Sequence, residues 1–144
     1  WNKYIKNDKI LKELYPIKYL YKNDYNKAFC ASKISIVIYS TLNLDNYTRK
    51  CFEIPATKSF MIAKRNKEIT SLFDEGQEVI CYNNLEELFL LFDYYLQNPQ
   101  ERERIAENAY KRIFKSGYEV EDRIKYIMSC IDELMKNDRE KKAI

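Results

Sequence analysis

Residues 33–60 read KISIVIYSTLNLDNYTRKCFEIPATKSF, and the changes of character within them decide the fold. Positions 34–39 are apolar at five of six places and rich in β-branched side chains. So little alternation predicts a strand covered on both faces, as in a parallel sheet. A polar loop follows at 40–45. Residues 46–54 then repeat apolar positions at Tyr47, Cys51 and Ile54, a helical spacing. Pro55 lacks an N–H and disfavours helical backbone at Ile54, so the helix is expected to kink or stop there. Residues 59–63 (SFMIA) are the next buried strand. Strand, helix and strand in this order make a βαβ unit.

The same alternation extends outward in both directions. Upstream, residues 3–14 predict a short, weakly amphipathic helix ended by Pro16. Residues 17–21 predict a strand, Asn23-Asp24 a turn and N-cap, and 25–32 a helix with Ala28, Phe29 and Ser32 towards the core. Downstream come a helix at 68–73 with Gly76 as its left-handed cap and a strand at 78–82. A helix opening at Asn84 carries Leu85, Leu88, Phe89, Phe92, Tyr95 and Leu96 at three- and four-residue intervals. Pro99 opens a charged helix to about residue 115, Gly117 ends it, and 120–136 form a last helix with Ile124, Ile127, Met128, Ile131 and Leu134 inward. The fold class is therefore α/β: a Rossmann-like parallel sheet with flanking helices and a helical C-terminal tail. Residues 1–137 read as one domain and 138–144 as a frayed tail.

Composition narrows the chemistry. The 144 residues suffice for one core, with 46% hydrophobic and 33% charged residues marking a globular chain. A net charge of +3, with basic and acidic residues interspersed, argues against a nucleic-acid partner. There is no histidine, so no imidazole base and no His-ligated metal within this chain. Gly76 and Gly117 are the only glycines, too few for a Walker loop or a GxGxxG turn. Cys30, Cys51, Cys81 and Cys130 form no CxxC pair and sit in apolar runs, the pattern of reduced, buried thiols. No run approaches the ~20 apolar residues of a membrane span and no signal peptide is visible, so a cytoplasmic location and no transmembrane segment are expected. A chain beginning with Trp1 rather than methionine reads as a fragment of a longer protein.

In open α/β sheets ligands bind beyond the carboxyl ends of the strands, beside helix N-termini. The loop after Tyr39 is such a place. Asp45, Asn46, Tyr47 and Thr48 have N-cap chemistry, and Asp45, Arg49 and Glu53 at four-residue spacing share one helix face. That stripe offers a cation for phosphate and carboxylates for hydroxyls. It is also what a solvated face with an Arg49–Glu53 ion pair looks like. Lys64, Arg65 and Glu68 follow the next strand in the same topological position. The aromatics Phe89, Phe92, Tyr94 and Tyr95 read as packing rather than a sugar platform.

Residues 42–124 resemble the C-terminal half of bacterial spore-maturation-type (CgeB-like) glycosyltransferases, two-domain GT-B enzymes that use nucleotide-sugar donors. The similar elements are N-x-D…T-x-[RK]-x-FEIPA at Asn43, Asp45, Thr48, Lys50 and 52–56, and R-x-x-E at Arg65 and Glu68. The turn at 72–82, the tail at 94–112 and the upstream stretch 25–39 continue the likeness in one register. The resemblance implies the donor-binding domain of a sugar transferase, retaining by analogy, with the acceptor brought by an N-terminal domain outside this chain. It implies no cofactor and no metal, the nucleotide-diphosphate sugar being substrate. Glu53 resembles the second carboxylate of the group's E-x7-E element, which binds the donor's ribose. Asp45, eight positions earlier, stands where the first glutamate would lie, towards the transferred sugar. Lys50 and Arg65 would stabilise the diphosphate. No residue is assigned as catalytic, and the isolated chain is expected to transfer little.

The chain departs from that pattern at three places. Leu44 stands where an arginine is usual, Thr41 near a usual lysine, and Ala56-Thr57-Lys58 replaces A-C-G. Lys58 is expected partly to replace the lost cations. The alternatives are a degenerate, non-catalytic glycosyltransferase-like chain and a flavodoxin-like interaction module. A phosphoacceptor of the latter kind needs an acidic pair, where Asp45 stands alone.

Overall fold

A computed structural model describes residues 5–40 and 42–142, with side chains to residue 138. Three parallel strands form its sheet: β1 (Ser35–Val37), β2 (Met61–Lys64) and β3 (Ile80–Tyr82), in the order β1-β2-β3. Ser35 pairs with Met61 and Ala63 with Cys81, so the strands begin and end nearly level. The helices are α1 (Lys22–Ala31), α2 (Lys50–Ala56), α3 (Lys67–Leu72), α4 (Leu85–Gln97), α5 (Pro99–Lys115) and α6 (Val120–Lys142). This is the expected α/β arrangement, a parallel sheet flanked by helices with a long helix last.

The sequence of β2 explains why it is central. Met61 and Ala63 face one side, where Val37, Ile54, Ile69 and Phe73 pack, while Ile62 faces Phe60, Leu88, Tyr95 and Ile105 on the other. A strand buried on both faces needs an uninterrupted apolar run, and residues 60–63 supply one. Helix α5 closes both cores, Ile105 and Ala106 lying in one and Ile113 in the other. Asn84 caps α4 by accepting the Glu87 N–H at 2.8 Å, and Pro99 occupies the first turn of α5.

Several expectations are corrected. Residues 17–21 join no strand; Tyr19 and Leu20, which would lie on opposite faces, are 85% and 49% exposed. The sheet therefore has three strands rather than four, and β1, expected to be covered on both faces, is an edge strand covered on one, with Ile36 and Ile38 38% and 69% exposed. Within residues 3–14, positions 3 and 4 lie outside the described residues, Ile5 is helical, and a separate 3-10 turn follows at Leu11–Leu14. Asp8 Oδ1 accepts the N–H groups of Ile10 and Leu11 at 2.8 Å, a local bond that competes with the helix. Asn23 and Asp24 lie inside α1 rather than capping it, Tyr21 being the N-cap.

Helix α2 begins at Lys50, four residues later than expected, and runs through Pro55 to Ala56. Pro55 lies inside the helix with its ring fully buried. Gly76 is not the cap of α3; Phe73 takes that position in extended conformation, and Gly76, at φ 81°, shapes the turn into β3 by donating to Val79 O at 2.8 Å. The last helix runs to Lys142, and Ile124, Ile127, Met128, Ile131 and Leu134 are exposed along it rather than inward. Tyr95 packs on Phe60, ring centroids 4.7 Å apart, whereas Phe89 and Tyr94 face outward. Of the four free cysteines, Cys51 and Cys81 are buried, but Cys30 is exposed. Among the described residues no helix is long and apolar enough to cross a membrane.

Candidate functional site

The carboxyl ends of β1 and β2 open onto a cleft of about 400 Å³ lined by Tyr39, Asp45, Asn46, Lys64, Arg65 and Asn66, with Leu44 at its rim. Its floor is the pair of strand ends and its outer wall the 42–49 loop. Asn66 builds that wall. Its Oδ1 accepts the Ile69 N–H at 2.9 Å and caps α3, while its Nδ2 donates to Asn46 O at 2.7 Å. Asn46 Nδ2 in turn donates to Glu68 Oε1 at 3.2 Å. Two asparagines thus hold the loop against the next crossover, and these bonds keep 46–49 out of the helix that periodicity alone predicts.

Charge in this cleft is partly neutralised. The Arg65 guanidinium makes an ion pair with Glu75, and Lys64 is exposed at the end of β2. Tyr39 is half-buried, its hydroxyl 3.9 Å from Cys51 Sγ. Burial, followed by that thiol, pushes the phenol well above its ordinary value, so it stays protonated.

A second cleft, about 230 Å³, lies where α2 begins, between Tyr25, Ile38, Thr48, Arg49, Lys50 and Glu53. Glu53 Oε2 accepts the Tyr25 hydroxyl at 2.8 Å, and its Oε1 lies 3.9 Å from Arg49 Nε. Arg49 is 93% exposed, so this pair contributes little. Arg49 itself is the N-cap of α2, with no side-chain capping bond. Asp45 stands in the loop, off the helix, so Asp45, Arg49 and Glu53 do not form one helical stripe.

The sequence candidates therefore divide. Thr48, Arg49, Lys50 and Glu53 share the α2 cleft; Asp45 and Arg65 share the strand-end cleft. Lys50 and Arg65 line different clefts. Glu68 lines a third, of about 420 Å³, beside Tyr47, Phe52 and Tyr118. Asn43 lines none of the three; its N–H reaches Ser40 Oγ at 3.3 Å. Thr41 lies outside the described residues. Tyr25, Tyr39, Asn46 and Asn66 are additions. An asparagine directly before a helix was a readable capping signal at 66, whereas the Tyr25–Glu53 contact spans 28 positions and leaves no local trace.

Lys58 is a correction. It follows α2 in left-handed conformation, φ 55°, near the amino end of β2 and so at the opposite edge of the sheet from the strand-end cleft. Its Nζ lies 2.8 Å from Glu107 Oε2 and over the Tyr110 ring, both on α5. It cannot replace cations near a diphosphate held at the strand ends.

A family model described as glycosyl transferase-like matches residues 1–129. The chain belongs to the glycosyl transferase-like family. No curated protein and no solved structure matches it. For this glycosyltransferase-like domain, no group of three or more His, Cys, Asp or Glu side chains suited to a metal ion occurs among the described residues.

Proposed function

We propose that this is the donor-binding domain of a GT-B glycosyltransferase of the CgeB-like kind, which binds a nucleotide-diphosphate sugar for transfer to an acceptor held by another domain. The observation that carries the reading is the pair of clefts lined by the segments that follow the carboxyl ends of the strands. One presents Lys64, Arg65 and Asp45, the other Glu53, Thr48 and Lys50. In this reading Glu53 accepts hydrogen bonds from the ribose hydroxyls. Lys64 and Arg65 face the diphosphate, where fixed cations offset charge that grows on the leaving nucleotide. Asp45 addresses the sugar. The donor is a substrate, and the domain needs no further cofactor to bind it.

Titration of the chain with uridine, guanosine, adenosine and cytidine diphosphates and their hexose conjugates tests this. At least one is expected to bind saturably, and Glu53→Ala is expected to weaken it about tenfold, the worth of one hydrogen-bonded charged contact. Absence of saturable binding by all of them refutes the reading, and equal binding by Glu53→Ala removes that carboxylate from the site.

A further inference from the structure

The carboxylate of Glu53 is held by a residue that the donor-site reading does not itself require. Tyr25 stands on α1, and its hydroxyl donates to Glu53 Oε2 at 2.8 Å. The phenol is anchored in its turn. Its ring meets Phe29 edge-on, centroids 4.7 Å apart, and Phe29 packs against the buried core. The other carboxylate oxygen, Oε1, faces only the exposed Arg49 at 3.9 Å. Beside them Thr48 Oγ1 is buried with no hydrogen-bond partner on the wall of the same cleft. One oxygen is therefore fixed by Tyr25, while the other has only the long contact to the exposed Arg49 among the described residues.

We propose that Tyr25 is the positioning residue of the donor site: by fixing Oε2 of Glu53 it presents Oε1 to the 2′- and 3′-hydroxyls of a nucleoside diphosphate. A glutamate without that anchor turns about three side-chain bonds, and ordering it is then charged against binding. Burial, together with the Glu53 carboxylate, pushes the Tyr25 phenol up to about 12, so it remains a donor throughout the neutral range. The inference rests on the donor-site reading and adds to it the residue that makes the site selective for ribose.

The test measures affinities for the four ribonucleoside diphosphates and their 2′,3′-dideoxy counterparts in the wild-type chain, Tyr25→Phe, Glu53→Ala and the double variant. The wild type should prefer the ribonucleotide. Tyr25→Phe should reduce that preference by roughly two- to tenfold, the cost of ordering an unanchored glutamate on binding. The double variant should match Glu53→Ala, because Tyr25 acts only through Glu53. Removing one hydroxyl keeps the ring against Phe29, and a thermal melt of each variant reports whether it is folded. A ribose preference left intact in Tyr25→Phe, with only the melting temperature lowered, makes the contact a tie between helices and overturns the inference while the donor site stands. A wild-type chain that binds neither form, or both equally, overturns the inference and the ribose contact together.

Discussion

Leu44→Arg is expected to tighten the binding of nucleoside diphosphates about fourfold at moderate salt, as follows from Coulomb's law and screening. Leu44 is 83% exposed at the rim of the strand-end cleft, so its replacement removes nothing from either core. Its φ of 53° is left-handed, and leucine and arginine bear that conformation equally, so the swap is close to neutral for the backbone. A guanidinium about 6 Å from a diphosphate of two charges, at the dielectric of water, gains about 1.4 kcal/mol unscreened. A Debye length of about 10 Å at 0.1 M salt reduces this to about 0.8 kcal/mol, or roughly fourfold in Kd. At 0.5 M the length is about 4 Å, and the gain should fall below about twofold. Calorimetric titration of both chains at the two salt concentrations, with the uncharged nucleoside as control, reads the effect. A gain equal for nucleoside and nucleotide, or one indifferent to salt, refutes an electrostatic origin. No gain for any diphosphate refutes the placement of the phosphates at the strand ends.

Two further predictions concern the scaffold. Phe73 is fully buried against Phe52 and Tyr118, and Phe73→Ala should cost about 3–5 kcal/mol in urea unfolding; a loss under about 1 kcal/mol would mean the site collapses around the gap or is not packed as described. Burial raises the Cys81 thiol from 9.0 to about 12, so the folded chain keeps a proton that the unfolded chain releases above pH 9. Stability should therefore fall as pH rises from 9 towards 12, and Cys81→Ala should delay the onset until the raised tyrosine phenols, Tyr25 and Tyr39 among them, contribute from pH 10 upwards. Urea midpoints between pH 8 and 11 that decline identically in both chains contradict this assignment.

Much of the fold was legible because its signals are local. An uninterrupted apolar run predicts a doubly covered strand, and β2 is one, whereas β1, where residues 34–39 predict the same, is an edge strand with Ile36 and Ile38 exposed; asparagine and proline punctuate α4 and α5 where capping chemistry requires them. What was not legible depends on partners distant in sequence. The periodicity of Tyr47, Cys51 and Ile54 is genuine, yet residues 46–49 are held out of α2 by Asn66 and Glu68, about one crossover away. Residues 17–21 have the composition of a strand, but a strand exists only where an edge accepts it, and no pattern within five residues records whether one does. The apolar stripe of α6 is equally regular, and regularity does not say that anything covers it. The site followed the same division: its position beyond the strands was readable from topology, whereas the bond from Tyr25 to Glu53 was not.

The three departures from the resembling family are not of one kind, and the structure separates two of them. A glycine at position 58 serves a left-handed residue at the end of α2, because the backbone there has φ 55°. Lysine in that place bears the conformation and gains Glu107 and the Tyr110 ring, each raising the affinity of its ammonium for the proton. The change is thus a matter of how α2 meets α5, at the edge of the sheet remote from the strand-end cleft, and says nothing about a diphosphate. Leu44 is different. It stands on the cleft itself, where Arg65 is paired with Glu75 and Lys64 is exposed, so an arginine there would add to the cleft's positive charge. Of these two departures Leu44 is then the one that bears on donor binding, and restoring arginine at position 44, not glycine at 58, is the change that should strengthen it.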